Sequence, residues 1–389
     1  MTYSLRSHPV ARSRRMLAIG VAVTLLITAV VAIGCGSGSS TPTTSPATST
    51  TVSTSPTTTT GGPTTTNGGP TTTASSSSST TVAGGAKLAK ITLVAPPGPM
   101  AIPMAYIAAN NLLSAVADKT DVVVWENPTQ LQAMVAGKQG DFVTMPSNNS
   151  AIFYNKGVSV KLLDITVWNI TYLVSSDASA KSFADIKGQS IAVPFQGSVP
   201  DLMFQYIAKK EGLDPQKDFT VRYATDPTQA SQLLLAGKVQ NAVLSEPMAT
   251  ASILQSQNSK TKLYRALSFD AGWQQATGGA NLSPIAGTVA TATMLDKPAV
   301  IAEFLKQYQV AVAWMLANPE AAGKLIETQF PQLGLKAAPM TASLKNITWK
   351  FTSAADARKD TDTFLAQLAT LSPEVIGGKV PDAGFYYAP

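Results

Sequence analysis

Histidine is nearly missing from this chain of 389 residues. The single copy is His8, so residues 36–389 contain none. That absence excludes Ser-His-Asp and Cys-His catalysis, imidazole acid–base chemistry and zinc sites built on imidazole. Cysteine is as scarce: Cys35 stands alone, so no disulfide can form within the chain. Charge is missing altogether from residues 36–86, which also carry no aromatic residue. The formal net charge of +6 from 29 Lys and Arg against 23 Asp and Glu overstates the basic balance. Four of the basic residues are Arg6, Arg12, Arg14 and Arg15, and every acidic residue follows Cys35, so the remainder carries about +2. No nucleic-acid partner is expected from so small an excess. No paired-carboxylate motif stands out, and no catalytic residue, cofactor or metal is expected.

What is present begins with an address. The four arginines precede an apolar run from Met16 to Ile33, closed by Ala32-Ile33-Gly34-Cys35. A basic start, a short apolar core and small residues before a cleavage point define an export signal. The run is also long enough for an uncleaved membrane anchor. Cys35 directly after Gly34 decides between them, because that is where a bacterial lipoprotein signal, which the tripeptide resembles, places its lipidated cysteine. Residues 1–35 are therefore expected to be a signal peptide ending at the lipidation site Cys35. Acylation would hold the protein on the extracytoplasmic face of the membrane at about 0.8 kcal/mol per buried CH₂. Ser13-Arg14-Arg15-Met16-Leu17 partly resembles a twin-arginine signal, so the export route stays open. Residues 36–86 are almost wholly Thr, Ser, Pro and Gly. Such a segment cannot bury enough apolar surface to offset its ordering entropy and is expected to be a disordered tether reaching on the order of 40 Å.

From Lys87 onward strand-like and helix-like patterns alternate, which argues for α/β architecture, and some 300 residues suit two lobes better than one core. Residues 89–94 and 121–125 read as strands, the second a continuous apolar run of the kind buried parallel strands show. Residues 103–113 read as a helix. An internal repeat is the most informative feature. Asn127-Pro128-Thr129-Gln130 leads through an apolar helical stretch to Ala136-Gly137-Lys138 and then to 141–146. About a hundred residues on, Asp226-Pro227-Thr228-Gln229 leads to Ala236-Gly237-Lys238 and then to 241–247. Asn127 and Asp226 suit a helix N-cap, and Pro128 and Pro227 suit the first helical position. Gly137 and Gly237 suit the left-handed residue that ends a helix. Two copies of one unit predict two similar lobes. The last hundred residues read as helical, from 296 through 315, beyond Asn318-Pro319, and from 355 to 371, while 283–292 suits a strand crossing back to the first lobe.

The segment Asp185-Ile186-Lys187-Gly188-Gln189-Ser190-Ile191-Ala192-Val193-Pro194 resembles a segment of the nitrate/sulfonate/taurine-type substrate-binding proteins. Gly197-Ser198-Val199-Pro200-Asp201, Gly212-Leu213-Asp214-Pro215, Ala236-Gly237-Lys238 and Glu246-Pro247 follow in that family's order, as does the closing stretch from Gly378 to Tyr386. The resemblance covers nearly all of residues 88–389. It implies a type II periplasmic-binding-protein fold, two α/β lobes with a cleft and a two-strand hinge, with lobe I at 87–170 and 284–389 and lobe II at 171–283. It also implies a monomeric receptor that binds a small molecule and hands it to an ABC permease and ATPase. A sensing lipoprotein beside a membrane signalling receptor is the other function that the same fold serves. One enzymatic branch of the wider family makes a thiamine pyrimidine and depends on histidine, which residues 36–389 lack.

Ligands of α/β sheets bind beyond the carboxyl ends of strands, where helix N-termini offer free N–H groups. Four segments have that form: Gly98, Pro99 and Met100 after the first strand; Thr144, Met145, Pro146, Ser147 and Asn148 after the first repeat; Gln196, Gly197, Ser198 and Asp201 after the second lobe's first strand; and Glu246 after the second repeat. Trp168 lies in the expected hinge crossing. Ser198 with Asp201 resembles a capping box, and Glu246 is either a helix cap or a ligand contact. Tryptophans such as Trp168 and Trp273 more often pack than stack on ligands. None of the four segments carries Lys or Arg. The pocket is therefore expected to be largely apolar, with backbone amides as its main polar groups.

Overall fold

The computed structural model describes residues 86–279 and 283–389. The expected signal peptide, Cys35 and the tether up to residue 85 lie outside the described residues. The chain opens with β1 (Ile91–Ala95), α1 (Ala101–Ala109), β2 (Thr120–Val124), α2 (Pro128–Ala136), β3 (Phe142–Pro146), α3 (Ser147–Asn155) and β4 (Val160–Asn169). It continues with β5 (Thr171–Ser175), β6 (Ser190–Pro194), α4 (Val199–Lys210), β7 (Thr220–Ala224), α5 (Pro227–Leu235), β8 (Asn241–Ser245), α6 (Met248–Ser256), β9 (Tyr264–Ser268) and α7 (Phe269–Ala276). It closes with β10 (Ala286–Thr291), α8 (Pro298–Ala317), α9 (Pro319–Gln329), α10 (Ala337–Leu344), β11 (Thr348–Ser353) and α11 (Ala354–Ala369).

The strands form two sheets, ordered β11-β4-β10-β3-β1-β2 and β7-β6-β8-β5-β9. Their common part is the same. In each, two parallel strands flank a central one, β2 and β3 on β1, and β7 and β8 on β6. Each is then extended by an antiparallel strand, β10 on β3 and β5 on β8. Those two antiparallel strands are the ones that enter their sheet directly from a crossing. Ile170 is the single residue between β4 and β5, and α7, which ends at Ala276, precedes β10, which starts at Ala286.

The repeated helices start alike for a physical reason. The Asn127 and Asp226 side chains accept from the amides of Gln130 and Gln229 at 3.0 and 2.9 Å. The Gln130 and Gln229 amide oxygens reach back to the amides of Glu126 and Thr225 at 2.6 and 2.8 Å. Proline at the first helical position loses no hydrogen bond, since that N–H has no helical partner. Their ends differ. Gly237 takes the left-handed conformation, but Gly137 does not, and Lys138 takes it instead at φ 54°. The strand expected to be buried at 121–125 is also different: β2 is the sheet edge, and Val123 is exposed. Its apolar run reflects pairing with β1 and contacts on one face, not burial on both.

One glycine is fixed by close approach. Where β10 crosses β4 the register shifts, and a Cβ on Gly287 would sit 1.8 Å from the Asp164 carbonyl oxygen. Four apolar clusters form the core. One lies mainly between the first sheet and α1, α8 and α9. Another joins the sheets: Val167 and Ala286 of the first share it with Leu173, Ile191 and Val243 of the second, and α3, α4, α7 and α11 close it.

Candidate ligand-binding site

The segments singled out in the sequence meet at that shared cluster. Met100, which precedes α1, packs against it, and Ala151 of α3 and Val199 of α4 belong to it. The turn after β1 approaches the turn after β8: a Cβ on Gly98, whose φ is +115°, would lie 3.3 Å from Pro247 Cδ. Pro99 lies buried beside it. At the start of α3, the Ser147 hydroxyl donates to the Pro284 carbonyl at 2.6 Å and its amide to the Ile285 carbonyl at 3.0 Å. Asn148 donates through Nδ2 to the Val375 carbonyl at 3.2 Å. Pro146 is half-buried at the end of β3. Three helix N-termini, one crossing segment and the 373–376 turn are thus drawn to one seam between the sheets.

Other expected contacts are placed elsewhere. Thr144 lies within the first sheet, its hydroxyl 3.4 Å from that of Thr288. Met145 is core, grouped with Trp125, Leu162 and Trp168. Trp168 itself is buried in that cluster, and its Nε1 donates to the Lys350 carbonyl at 2.8 Å, so it packs on the face away from the seam. Gln196 and Gly197 are exposed. The Ser198–Asp201 pair makes no capping box. Asp201 accepts from the Gly197 amide at 2.7 Å, while Ser198 donates to the Pro194 carbonyl at 3.2 Å and caps nothing. Burial raises the Asp201 carboxyl above its ordinary range, opposed by the Gly197 amide.

Glu246 is fully engaged by protein. Its Oε2 accepts from the Thr250 amide in the first turn of α6 at 3.0 Å. Its Oε1 accepts from Arg265 at 2.6 and 3.2 Å. The guanidinium also donates to the Thr250 hydroxyl at 2.5 Å and lies over the Tyr172 ring. Glu246 is therefore a cap and a counter-ion together. Arg265 comes from β9, not from any of the four loops, and nothing in its local sequence marks it. It corrects the expectation of surroundings without arginine: a guanidinium stands beside the second repeat's loop, with a carboxylate already bound to it.

Trp273 packs, as expected, fully buried in the shared apolar cluster. Its ring lies 4.7 Å from Tyr206 and 4.8 Å from Phe364, joining α7 to α4 and to α11. Surface hollows beside Lys209 and Asp214, and beside Lys324 and Thr341, lie away from these loops. Among the described residues, no three His, Cys, Asp or Glu are grouped to hold a metal ion, and no helix is long and apolar enough to cross a membrane.

Two α/β sheets of like topology, crossed twice by the chain and meeting at helix N-termini, define a type II periplasmic-binding-protein fold. The NMT1-like family model matches residues 107–328, more than half of the chain, and the chain belongs to that family. No curated protein matches it. Solved structures share the fold. An ABC transporter protein from Parabacteroides distasonis is 24% identical, covers 77% of this chain and 99% of its own, and superposes with a TM-score of 0.63. The periplasmic aliphatic sulphonate binding protein SsuA from Escherichia coli is 17% identical, with coverage of 77% and 92% and a TM-score of 0.59. The periplasmic nitrate-binding protein NrtA from Synechocystis PCC 6803 is 15% identical, with coverage of 73% and 82% and a TM-score of 0.55.

Proposed function

We propose that this protein is an extracytoplasmic solute-binding receptor, anchored through Cys35, that delivers a small organic molecule to an ABC importer. The observation that carries this reading is the seam, where Met100 before α1, Ala151 of α3 and Val199 at the start of α4 meet one apolar cluster shared by two sheets. Helix N-termini supply oriented N–H donors, and apolar burial supplies affinity. The likeness to sulphonate- and nitrate-binding proteins supports it. The two lobes, 87–170 with 284–389 and 171–283, would open at the two crossings and close on ligand, and the closed form would be what the permease reads. No bond of the ligand is made or broken, in keeping with a chain that has no histidine after residue 8. Of the segments described, those after β1, β3 and β6 would present to the ligand the main-chain amides that are not already bonded, as those of Ser147 and Gly197 are to Ile285 and Asp201, while Glu246 holds Arg265 and α6 in place.

The test is a thermal-shift screen of the purified protein against small organic acids, amines and heterocycles, followed by small-angle scattering with any hit. A ligand at a hundred times its Kd adds about 2.7 kcal/mol of stability, and a receptor becomes more compact when it binds. Turnover of the hit would instead make the protein an enzyme.

A further inference from the structure

The strand ladder around Asp164 of β4 is irregular on both sides. The β10–β4 register shifts twice, between Ala286 and Gly287 and between Thr288 and Val289, and Thr288 is the residue opposite Asp164. The β11–β4 register shifts between Trp349 and Thr352, just short of Ser353, which pairs with Asp164 from the other edge. Such irregularities bend a strand and re-aim its side chains. β4 leads to β5 through Ile170, and β10 is the first strand after α7. The two strands that adjoin the crossings therefore meet at Asp164, where their pairing is weakest.

The groups around this buried carboxyl are neutral. Thr166 donates to Oδ1 at 2.6 Å, and Oδ2 has no partner in the protein. The Thr288 amide and hydroxyl favour the charged form, and that hydroxyl lies 3.4 Å from the one of Thr144 on β3. From α8 the facing titratable group is Tyr308, buried, whose phenol is raised by burial and by Asp164. The Ser353 hydroxyl of β11 donates to Asp356 at 2.6 Å. α11 meets the neighbouring core through Ala354 and Ala357, and the tail pairs Tyr386 with Leu162 while its hydroxyl donates to Asp362. No lysine or arginine is among the groups that act on the Asp164 carboxyl. A lone carboxylate is costly to bury and takes up a proton instead; burial accordingly pushes this one up to about 7. As an acid it can donate to a neighbouring hydroxyl, and as a carboxylate it can only accept. We propose that Asp164 is a proton-binding site whose occupancy sets how firmly β10 lies on β4, so that the proton locks the strands beside the crossings and its loss frees them. The step is a dissociation: the carboxylic acid releases its proton to water as β10 lifts, and the carboxylate is hydrated. The device belongs to the fold and does not depend on what the protein binds. An opening that hydrates Asp164 returns it to its ordinary value near 4, so the opening equilibrium rises about tenfold per pH unit from about 4 to about 7 and is level above.

Hydrogen–deuterium exchange of the purified full-length protein is followed by mass spectrometry at pH 5 and pH 7, with labelling times scaled to the intrinsic exchange rates. Peptides covering 160–169 and 286–291 should open on the order of a hundredfold more often at pH 7, and by a larger factor than the peptide covering 190–194 of the second sheet. Asp164→Asn should remove the difference. Infrared titration reads the proton itself, as the C=O stretch of a carboxylic acid. A band lost near pH 7 in the wild type and missing from Asp164→Asn is expected. In Thr166→Val, which keeps the carboxyl and removes a donor to its charged form, the same band should persist to higher pH; this variant assigns the band should the asparagine protein not fold. Absence of the band at pH 5, whether the carboxylate is hydrated or holds a cation from the buffer, overturns the inference. A band that titrates near pH 7 while β4 and β10 exchange equally at both pH values also overturns it, because the proton is then bound without consequence for the strands. An equal rise in all three peptides reports global unfolding and overturns the local device.

Discussion

Asp164 lies in the middle of β4 with no exposed surface. The Thr166 hydroxyl donates to its Oδ1 at 2.6 Å, and its Oδ2 has no partner. Burial pushes this carboxyl up to about 7, opposed by Thr166 and Thr288. Burial and the nearby Asp164 also push the Tyr308 phenol above its usual range. An acid whose folded pKa is raised binds a proton that the unfolded chain has already released. Its contribution is most favourable below the unfolded value near 4, falls as pH rises toward 7, and is level above that. Asp164→Asn should abolish this part of the slope and stabilise the protein at pH 8 by up to about 4 kcal/mol, read as the difference in urea midpoints between wild type and variant from pH 5 to 8. Equal midpoint differences at both ends would show that Asp164 titrates normally. The Glu246–Arg265 pair carries the opposite lesson. Glu246 has no exposed side-chain surface, so Arg265→Met leaves a buried carboxylate with only the Thr250 amide. A loss of about 3 kcal/mol is expected in chemical denaturation. Adding Glu246→Gln should restore part of it, because the stranded charge then disappears.

At the scale of elements, β10 and β4 are held closer than two strands with side chains could be. Gly287→Ala would drive a Cβ into the Asp164 backbone, where no rotamer change gives relief. A loss greater than about 3 kcal/mol, or failure to fold, is expected in a urea titration; a variant with wild-type midpoint would mean that the strands can separate. This glycine was silent in the sequence, because a close approach between strands 120 residues apart leaves no local pattern. The repeat was legible for the converse reason. Asn127, Pro128, Asp226 and Pro227 act on their own helices, so cap and first turn are written in consecutive residues. The same locality misled at 121–125, where an apolar run looks alike in a central strand and in an edge strand. It also hid the side chains at the seam. Trp273, Ile285 and Phe364 come from α7, the stretch before β10 and α11, and only the folded chain brings them into one cluster. Glycine at helix ends was half right: the rule that a left-handed residue ends a helix holds at 237, and Lys138 satisfies it at the other copy.

For the molecule as a whole, the question is what holds the two sheets in register besides their crossings. Asn346, between α10 and β11, is the tie. Its carbonyl accepts from the Tyr172 hydroxyl of β5, and its Nδ2 donates to the Thr250 hydroxyl of α6 at 3.2 Å. Asn169, the last residue of β4, donates to the same Tyr172 hydroxyl at 3.1 Å. Thr250 and Tyr172 are in turn set by Arg265 and Glu246, so the buried ion pair positions the half of the latch that the second sheet contributes. On the receptor function proposed above, opening breaks this latch, and its strength would bias the equilibrium between open and closed forms. Asn346→Ala removes the Nδ2 bond while leaving the carbonyl in place. A hydrogen bond of about 1 kcal/mol corresponds to roughly a fivefold shift of such an equilibrium. The variant should show a larger radius of gyration by small-angle scattering without ligand, and an unchanged circular-dichroism spectrum. Tyr172→Phe should act in the same direction, since it releases both Asn346 and Asn169. Were both variants to scatter like wild type, the crossings and the shared apolar cluster alone would fix the arrangement, and opening would have to start by parting α11 from α4 and α7.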